Sequence, residues 1–147
     1  MSGIVCAVRG GPASRSTIAT AITLAQETGL PLCFLYVVNL DFLSQTPTSR
    51  VHTISQEMHE MGEFILLMAQ EMSARKGIIA VGTVRHGSVS DEVISLCHEL
   101  EAEYLVLGKP KVERDDTVFT QELLHRFVAR TEEQTGAKVV FPEKDVL

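Results

Sequence analysis

The sequence predicts an α/β fold, a parallel sheet covered by helices on both faces, and three observations carry that prediction. Five short apolar runs recur along the chain, at Ile4 to Val8, Leu32 to Val38, Ile78 to Val84, Tyr104 to Leu107 and Lys138 to Phe141. A helix-length segment separates each run from the next, the alternation that produces parallel strands with crossover connections. The runs are apolar almost throughout, as strands covered on both sides must be.

The first connection opens Arg9-Gly10-Gly11-Pro12-Ala13-Ser14, where paired glycines allow a tight turn and Pro12 or Ser14 can start a helix. Ile18, Ala21, Ile22, Leu24 and Ala25 form its apolar stripe, with Gly29 as C-cap and Pro31 beyond. Leu40 to Arg50, rich in Ser, Thr and Asp with Pro47, reads as a long surface loop. Val51 to Lys76 then places apolar residues at 51, 54, 58, 61, 65, 68 and 72, one seam along a long helix. The seam is expected to pack on the chain's own sheet. Its methionines, Met58, Met61, Met68 and Met72, also suit an adaptable partner surface.

After the third run, His86-Gly87-Ser88-Val89-Ser90-Asp91 forms a glycine turn in which Ser88 or Ser90 can cap a helix. That helix buries Val93, Ile94, Leu96, Cys97 and Leu100. The last helix, about Thr117 to Gln134, carries Val118, Leu123, Leu124, Phe127 and Val128 on one side and stops at Gly136.

With 147 residues, 45% hydrophobic and 22% charged, residues 1–147 are expected to form a single domain with its own core. A net charge of -6 disfavours nucleic acid and anionic membrane surfaces as partners. No basic, apolar leader and no spanning segment are visible, so the expectation is a cytoplasmic protein without membrane insertion. Cys6, Cys33 and Cys97 lie in apolar segments without a CxxC pair and read as buried, reduced thiols.

Gly108 closes the fourth run where a parallel strand commonly presents a phosphate loop, yet Lys109, Pro110 and Lys111 follow and the next glycine is Gly136. The five histidines are dispersed, and none has the helical i, i+4 spacing of a zinc pair. No metal is expected. His86 is the one to watch, otherwise a solvated loop histidine. Ser14, Ser16 and Ser88 sit where capping explains them.

Four segments taken in order resemble the universal stress protein family over nearly the whole chain. They are Ile4-Val5-Cys6-Ala7-Val8 with its Gly-Gly turn, Leu35-Tyr36-Val37-Val38, Gly87-Ser88-Val89-Ser90-Asp91-Glu92-Val93-Ile94, and Tyr104-Leu105-Val106-Leu107-Gly108. The resemblance implies an open five-stranded parallel sheet of order 3-2-1-4-5 with four helices, the adenine nucleotide alpha hydrolase-like form of a Rossmann-like fold. It also implies a homodimer through the last strand, Lys138 to Phe141. Family members that bind ATP carry an Asp after strand one and, after strand four, Gly, two residues, Gly, nine residues, Gly, then Ser or Thr. Here Arg9 stands at the Asp position, Gly108 matches the first glycine, and the remaining positions hold Lys111, Gln121 and Glu122.

A side chain at a phosphate-facing glycine fills the phosphate's space, and Glu122 adds a repelling charge. The expectation is therefore a non-enzymatic stress-response module with no cofactor, of the class lacking the ordinary ATP motif, acting through dimerisation and a protein partner. The alternative is a sensor of ATP, AMP or another anion at Arg9, Gly10, Val38, Gly87, Gly108, Lys109, Lys111, Gln121 and Glu122, with Val38 offering backbone groups to a base. Against that sensor, Arg9 pairs with Glu122 or Asp115 and fills the vestigial site. A nucleotidyl-transfer enzyme would need a glycine-rich loop that the chain lacks.

Overall fold

The computed structural model describes residues 3–10, 14–40, 47–108 and 117–142, with 117–121 described by their backbone. The strands are β1 (Gly3–Ala7), β2 (Leu32–Val38), β3 (Val81–His86), β4 (Ala102–Val106) and β5 (Lys138–Val140), and the helices are α1 (Ser14–Thr28), α2 (Thr48–Arg75), α3 (Val89–Glu99) and α4 (Thr117–Thr135). All pairings are parallel, in the order β3-β2-β1-β4-β5. The fold is the expected adenine nucleotide alpha hydrolase-like sheet.

Alternation along the strands divides the core into two layers. Ile4, Cys6, Leu32, Phe34 and Tyr36 pack with Ile18, Ala21 and Ile22 of α1 and Leu66 and Ala69 of α2. Val5, Cys33, Leu35 and Leu105 pack on the other side with Val93, Leu96 and Cys97 of α3, joined by Phe127 of α4. The two layers explain why the central strands are apolar without alternation. Three glycines, Gly29, Gly77 and Gly136, end α1, α2 and α4 at φ of 73°, 81° and 76°, backbone that side chains rarely adopt.

Several expectations need correction. β3 begins at Val81, not Ile78, because the end of α2 captures residues 78–80. Ser73 Oγ donates to the Ile78 carbonyl at 2.6 Å, Ile78 N–H donates to the Ser73 carbonyl, and Gln70 donates to the Ala80 carbonyl. Ile79 is left 93% exposed. Residues 48–50 belong to α2 rather than to the preceding loop, whose residues 41–46 lie outside the described ones, as do Gly11 and Pro12.

The seam of α2 is displaced as well. Gly62, Leu66, Ala69 and Ser73 face the sheet, Met58, Ile65 and Met72 are half-buried beside them, and Met61 and Met68 are exposed. Gly62 sets this rotation: a Cβ there would lie 2.4 Å from Cδ1 of Tyr36, so the helix rests on the ring because it has no side chain at that point. Leu100, the C-cap of α3, and Leu123 of α4 are exposed rather than buried.

Candidate functional site

In an open parallel sheet, ligands bind beyond the carboxyl ends of the strands where neighbouring connections leave on opposite faces. Here that point lies between β1 and β4, because α1 packs in one layer and α4 in the other. Arg9 and Gly108 stand at this crevice, just past the ends of β1 and β4. Gly10 is exposed beside Arg9, and Ile65 Cδ1 lies 3.2 Å from where its Cβ would be.

Gly108 has a structural reason to be glycine. A Cβ there would sit 2.8 Å from Oγ1 of Thr17, a buried residue on α1, so close packing holds this position small. Gly87 is constrained differently, by a φ of 146° and by Glu92 Oε2, which lies 2.9 Å from its would-be Cβ. Gly87 N–H donates to the Val38 carbonyl at 3.0 Å. The Val38 carbonyl thus already accepts one bond from the turn after β3 and keeps its second lone pair.

Arg9 is exposed, and its carbonyl accepts a hydrogen bond from Ser14 Oγ at the start of α1. Glu122 pairs with Arg126 one turn along α4, at 3.4 Å, rather than with Arg9 as expected. Lys109, Lys111 and Asp115 lie outside the described residues, and Gln121 is described only as a backbone position of α4. The structure therefore brings Arg9 and Gly108 to one crevice, places Val38 and Gly87 together at the next pair of strand ends, and leaves the two lysines unplaced.

Beside Val38 and Gly87 a depression of about 500 Å³ opens between the α3 start and α4, lined by Asn39, Ser88, Ser90, Leu123, Arg126 and Arg130. Ser88 is the N-cap of α3, and its hydroxyl contacts Ser90 Oγ at 3.3 Å rather than capping the helix. Arg126 is paired with Glu122, and Arg130 with Asp91 at 3.1 Å. A second groove of about 460 Å³ runs along the outside of α3 and α4, past Ser95, His98 and Gln134. Arg126 and Arg130 escaped the sequence reading; their position one turn apart on α4 was the available signal.

His86 is not a loop histidine but the last residue of β3, and its Nε2 lies 2.8 Å from Nδ1 of His59 on α2. Ring centres 5.1 Å apart and a 19° interplanar angle fit two rings joined edge to edge, with one nitrogen donating and the other accepting. The pair ties α2 to the edge strand. On the other face Arg85 donates to Glu99 at 2.8 Å and lies 3.6 Å from Glu92. The hydrogen bond raises the Arg85 guanidinium further and holds Glu99 below the usual carboxylate range.

No nucleophile is prepared for catalysis among the cysteines. All three are free and buried, and burial pushes the Cys33 thiol up to about 11 and the Cys97 thiol up to about 12, with Cys6 raised as well. Among the described residues no group of three His, Cys, Asp or Glu side chains is placed to hold a metal ion. No described helix is long and apolar enough to cross a membrane.

A sequence model of the universal stress protein family matches residues 1–138. The chain belongs to the universal stress protein family. Solved structures agree on the fold. A universal stress protein family member from Burkholderia pseudomallei is 21% identical, with 95% of this chain and 94% of that chain covered and a TM-score of 0.66. Universal stress protein UspA from Lactobacillus plantarum is 16% identical, with 97% of each chain covered and a TM-score of 0.72. A universal stress protein solved in complex with cAMP is 16% identical, with 98% of each chain covered and a TM-score of 0.70. No curated protein sequence matches the chain. The family is broadly one of stress response.

Proposed function

We propose that residues 1–147 form a single, non-enzymatic stress-response domain that works in the cytoplasm without ATP, through a homodimer and a protein partner. The observation that carries this reading is the chemistry at the four positions where an ATP-binding member has Asp, Gly, Gly and Ser or Thr. Lys111 and Gln121 put side chains where phosphate needs open backbone, Glu122 puts a carboxylate in place of a hydroxyl, and Arg9 replaces the Asp with a cation. The retained Gly108 is accounted for by its contact with Thr17. The dimer forms through Lys138 to Phe141, since β5 is an edge strand whose apolar residues are only half-buried in the lone chain.

A second reading is supported by two related structures, solved with cAMP and with dAMP. In it Arg9, Gly10, Val38, Gly87, Gly108, Lys109, Lys111, Gln121 and Glu122 surround a nucleotide or another anion, and the depression beside Ser88 and Arg126 extends the cleft. Calorimetric titration with ATP, AMP and cAMP separates the two. The first reading expects dissociation constants of millimolar or weaker for all three, unchanged by Arg9→Ala. Micromolar binding that Arg9→Ala weakens tenfold or more establishes the sensor instead.

A further inference from the structure

The outer face of α2 is apolar where solvent should favour polar side chains. Met61, Phe64, Leu67 and Met68 are 58%, 62%, 64% and 49% exposed, while the helix rests on the sheet through Gly62, Leu66, Ala69 and Ser73. At about 100° per residue, Met61, Phe64 and Met68 fall within roughly 60° of one another on the helix surface, and Leu67 lies about 60° further round. These are neighbours on one face. Together they offer on the order of 450 Å² of apolar surface, as much as the largest patch on an ordinary monomer.

The rim of this strip has one dominant sign. Glu57 and Glu60 precede it, Glu63 borders it and Glu71 follows it, and all four are exposed. Arg75 at the end of α2 is paired with Glu71 at 3.0 Å, and Glu63 lies 3.8 Å from His59. Glu57 and Glu60 lie beside Met61 and Phe64, and the helix has no lysine or arginine between Arg50 and Arg75. A methionine-bearing apolar strip with an acidic border matches a helix that is apolar on one side and basic on its flanks.

We propose that the outer face of α2 is the docking surface for a cationic amphipathic helix of the partner protein, an inference that rests on the partner-binding reading above. A second copy of the chain fits poorly. Two such faces would oppose carboxylate to carboxylate, a repulsion that a basic-flanked helix does not meet. An anionic membrane meets the same repulsion. The surface lies over β2 and β3, away from β5, so docking and dimerisation use different parts of the molecule.

The test is fluorescence anisotropy of a labelled amphipathic helical peptide of lysine and leucine, titrated with the full-length protein. Saturable one-to-one binding is expected, weakening at least tenfold when salt rises from about 50 to about 300 mM. The double variant Phe64→Ser, Leu67→Ser should weaken binding at least tenfold with its circular dichroism spectrum unchanged. Glu57→Lys, Glu60→Lys should weaken it comparably, and Glu103→Lys, Glu133→Lys, elsewhere on the surface, by less than about twofold. Equal losses in the two charge reversals would reduce the effect to diffuse attraction and overturn the proposal, as would full binding by the Phe64, Leu67 variant. Loss of a wild-type dimer in that variant would instead assign the strip to a second copy. Peptide binding by a protein that sediments as a monomer sinks the β5 dimer alone, whereas a dimer that ignores the peptide sinks only the docking surface.

Discussion

β3 and β5 each have a single neighbouring strand, yet their residues treat the exposed edge in opposite ways. β3 carries Thr83, Arg85 and His86, with Arg85 bound to Glu99 and close to Glu92 on one face and His86 bound to His59 on the other. α2 lies along it, and Gly82 meets Leu66 and Gln70 closely. β5 is three residues long, Lys138-Val139-Val140, and is held by β4, a bond from Val139 N–H to Glu132 and a bond from Leu107 N–H to the Val140 carbonyl. Charges and a covering helix discourage further strand addition at β3, whereas β5 has no such cover and leaves Val139 and Val140 half-buried in the lone chain, with only its shortness and Lys138 to blunt the edge. The difference is the reason the proposed dimer is placed at β5 and not at β3.

The strongest way to break this comparison is to remove the inviting edge. Deleting Lys138 to Leu147 should halve the mass measured by sedimentation, from a dimer to a monomer, and an unchanged dimer would mean that assembly does not use β5. A smaller effect is expected where α2 guards the other edge. Gly62→Ala drives a methyl group against the Tyr36 ring and should destabilise the fold by about 1–3 kcal/mol in chemical denaturation. The same variant should leave the mass unchanged.

The smallest effect concerns the charges of β3. Arg85→Ala removes the partner that holds Glu99 below its ordinary range. A carboxyl group whose folded-state value is depressed adds stability that is fully present above its unfolded value, near pH 4.3, and is lost as pH falls through the folded value. The variant should therefore be less stable than wild type at pH 7, and the two should converge as pH falls below 4. A gap that stays constant over that interval would show that Arg85 acts through packing of its stem instead of its charge.

The five strands, the two core layers and the helix stops were legible because they depend on local patterns, apolar runs and glycines that adopt left-handed backbone, whereas the strand order followed from the family resemblance and not from any local pattern. The seam of α2 was misplaced for a physical reason. Apolar positions averaging 3.5 residues drift by about 20° per heptad around a helix of 3.6 residues per turn, and the fixed point of this helix is Gly62, which no apolar count marks. The start of β3 was missed because Ser73 and Gln70 bind residues 78–80 through side chains, a competition that hydropathy does not register. At the candidate site the altered chemistry of Arg9 and Glu122 was visible in sequence, but their partners were not. Glu122 takes the arginine one turn away on its own helix, a local choice that spacing could have indicated, while the bond from Gly87 to Val38 joins segments 49 positions apart.

Gly108 joins two parts of the molecule that the order of the chain keeps separate. With its would-be Cβ 2.8 Å from Thr17 Oγ1, Gly108 seats directly on α1, and the Thr17 carbonyl lies 3.9 Å from Cys6 Sγ in β1. The mouth of the crevice between β1 and β4 is consequently gauged by the seating depth of α1. Anything that lifts or lowers that helix moves Gly108 with it, so the helix acts as a spacer between the ends of β1 and β4.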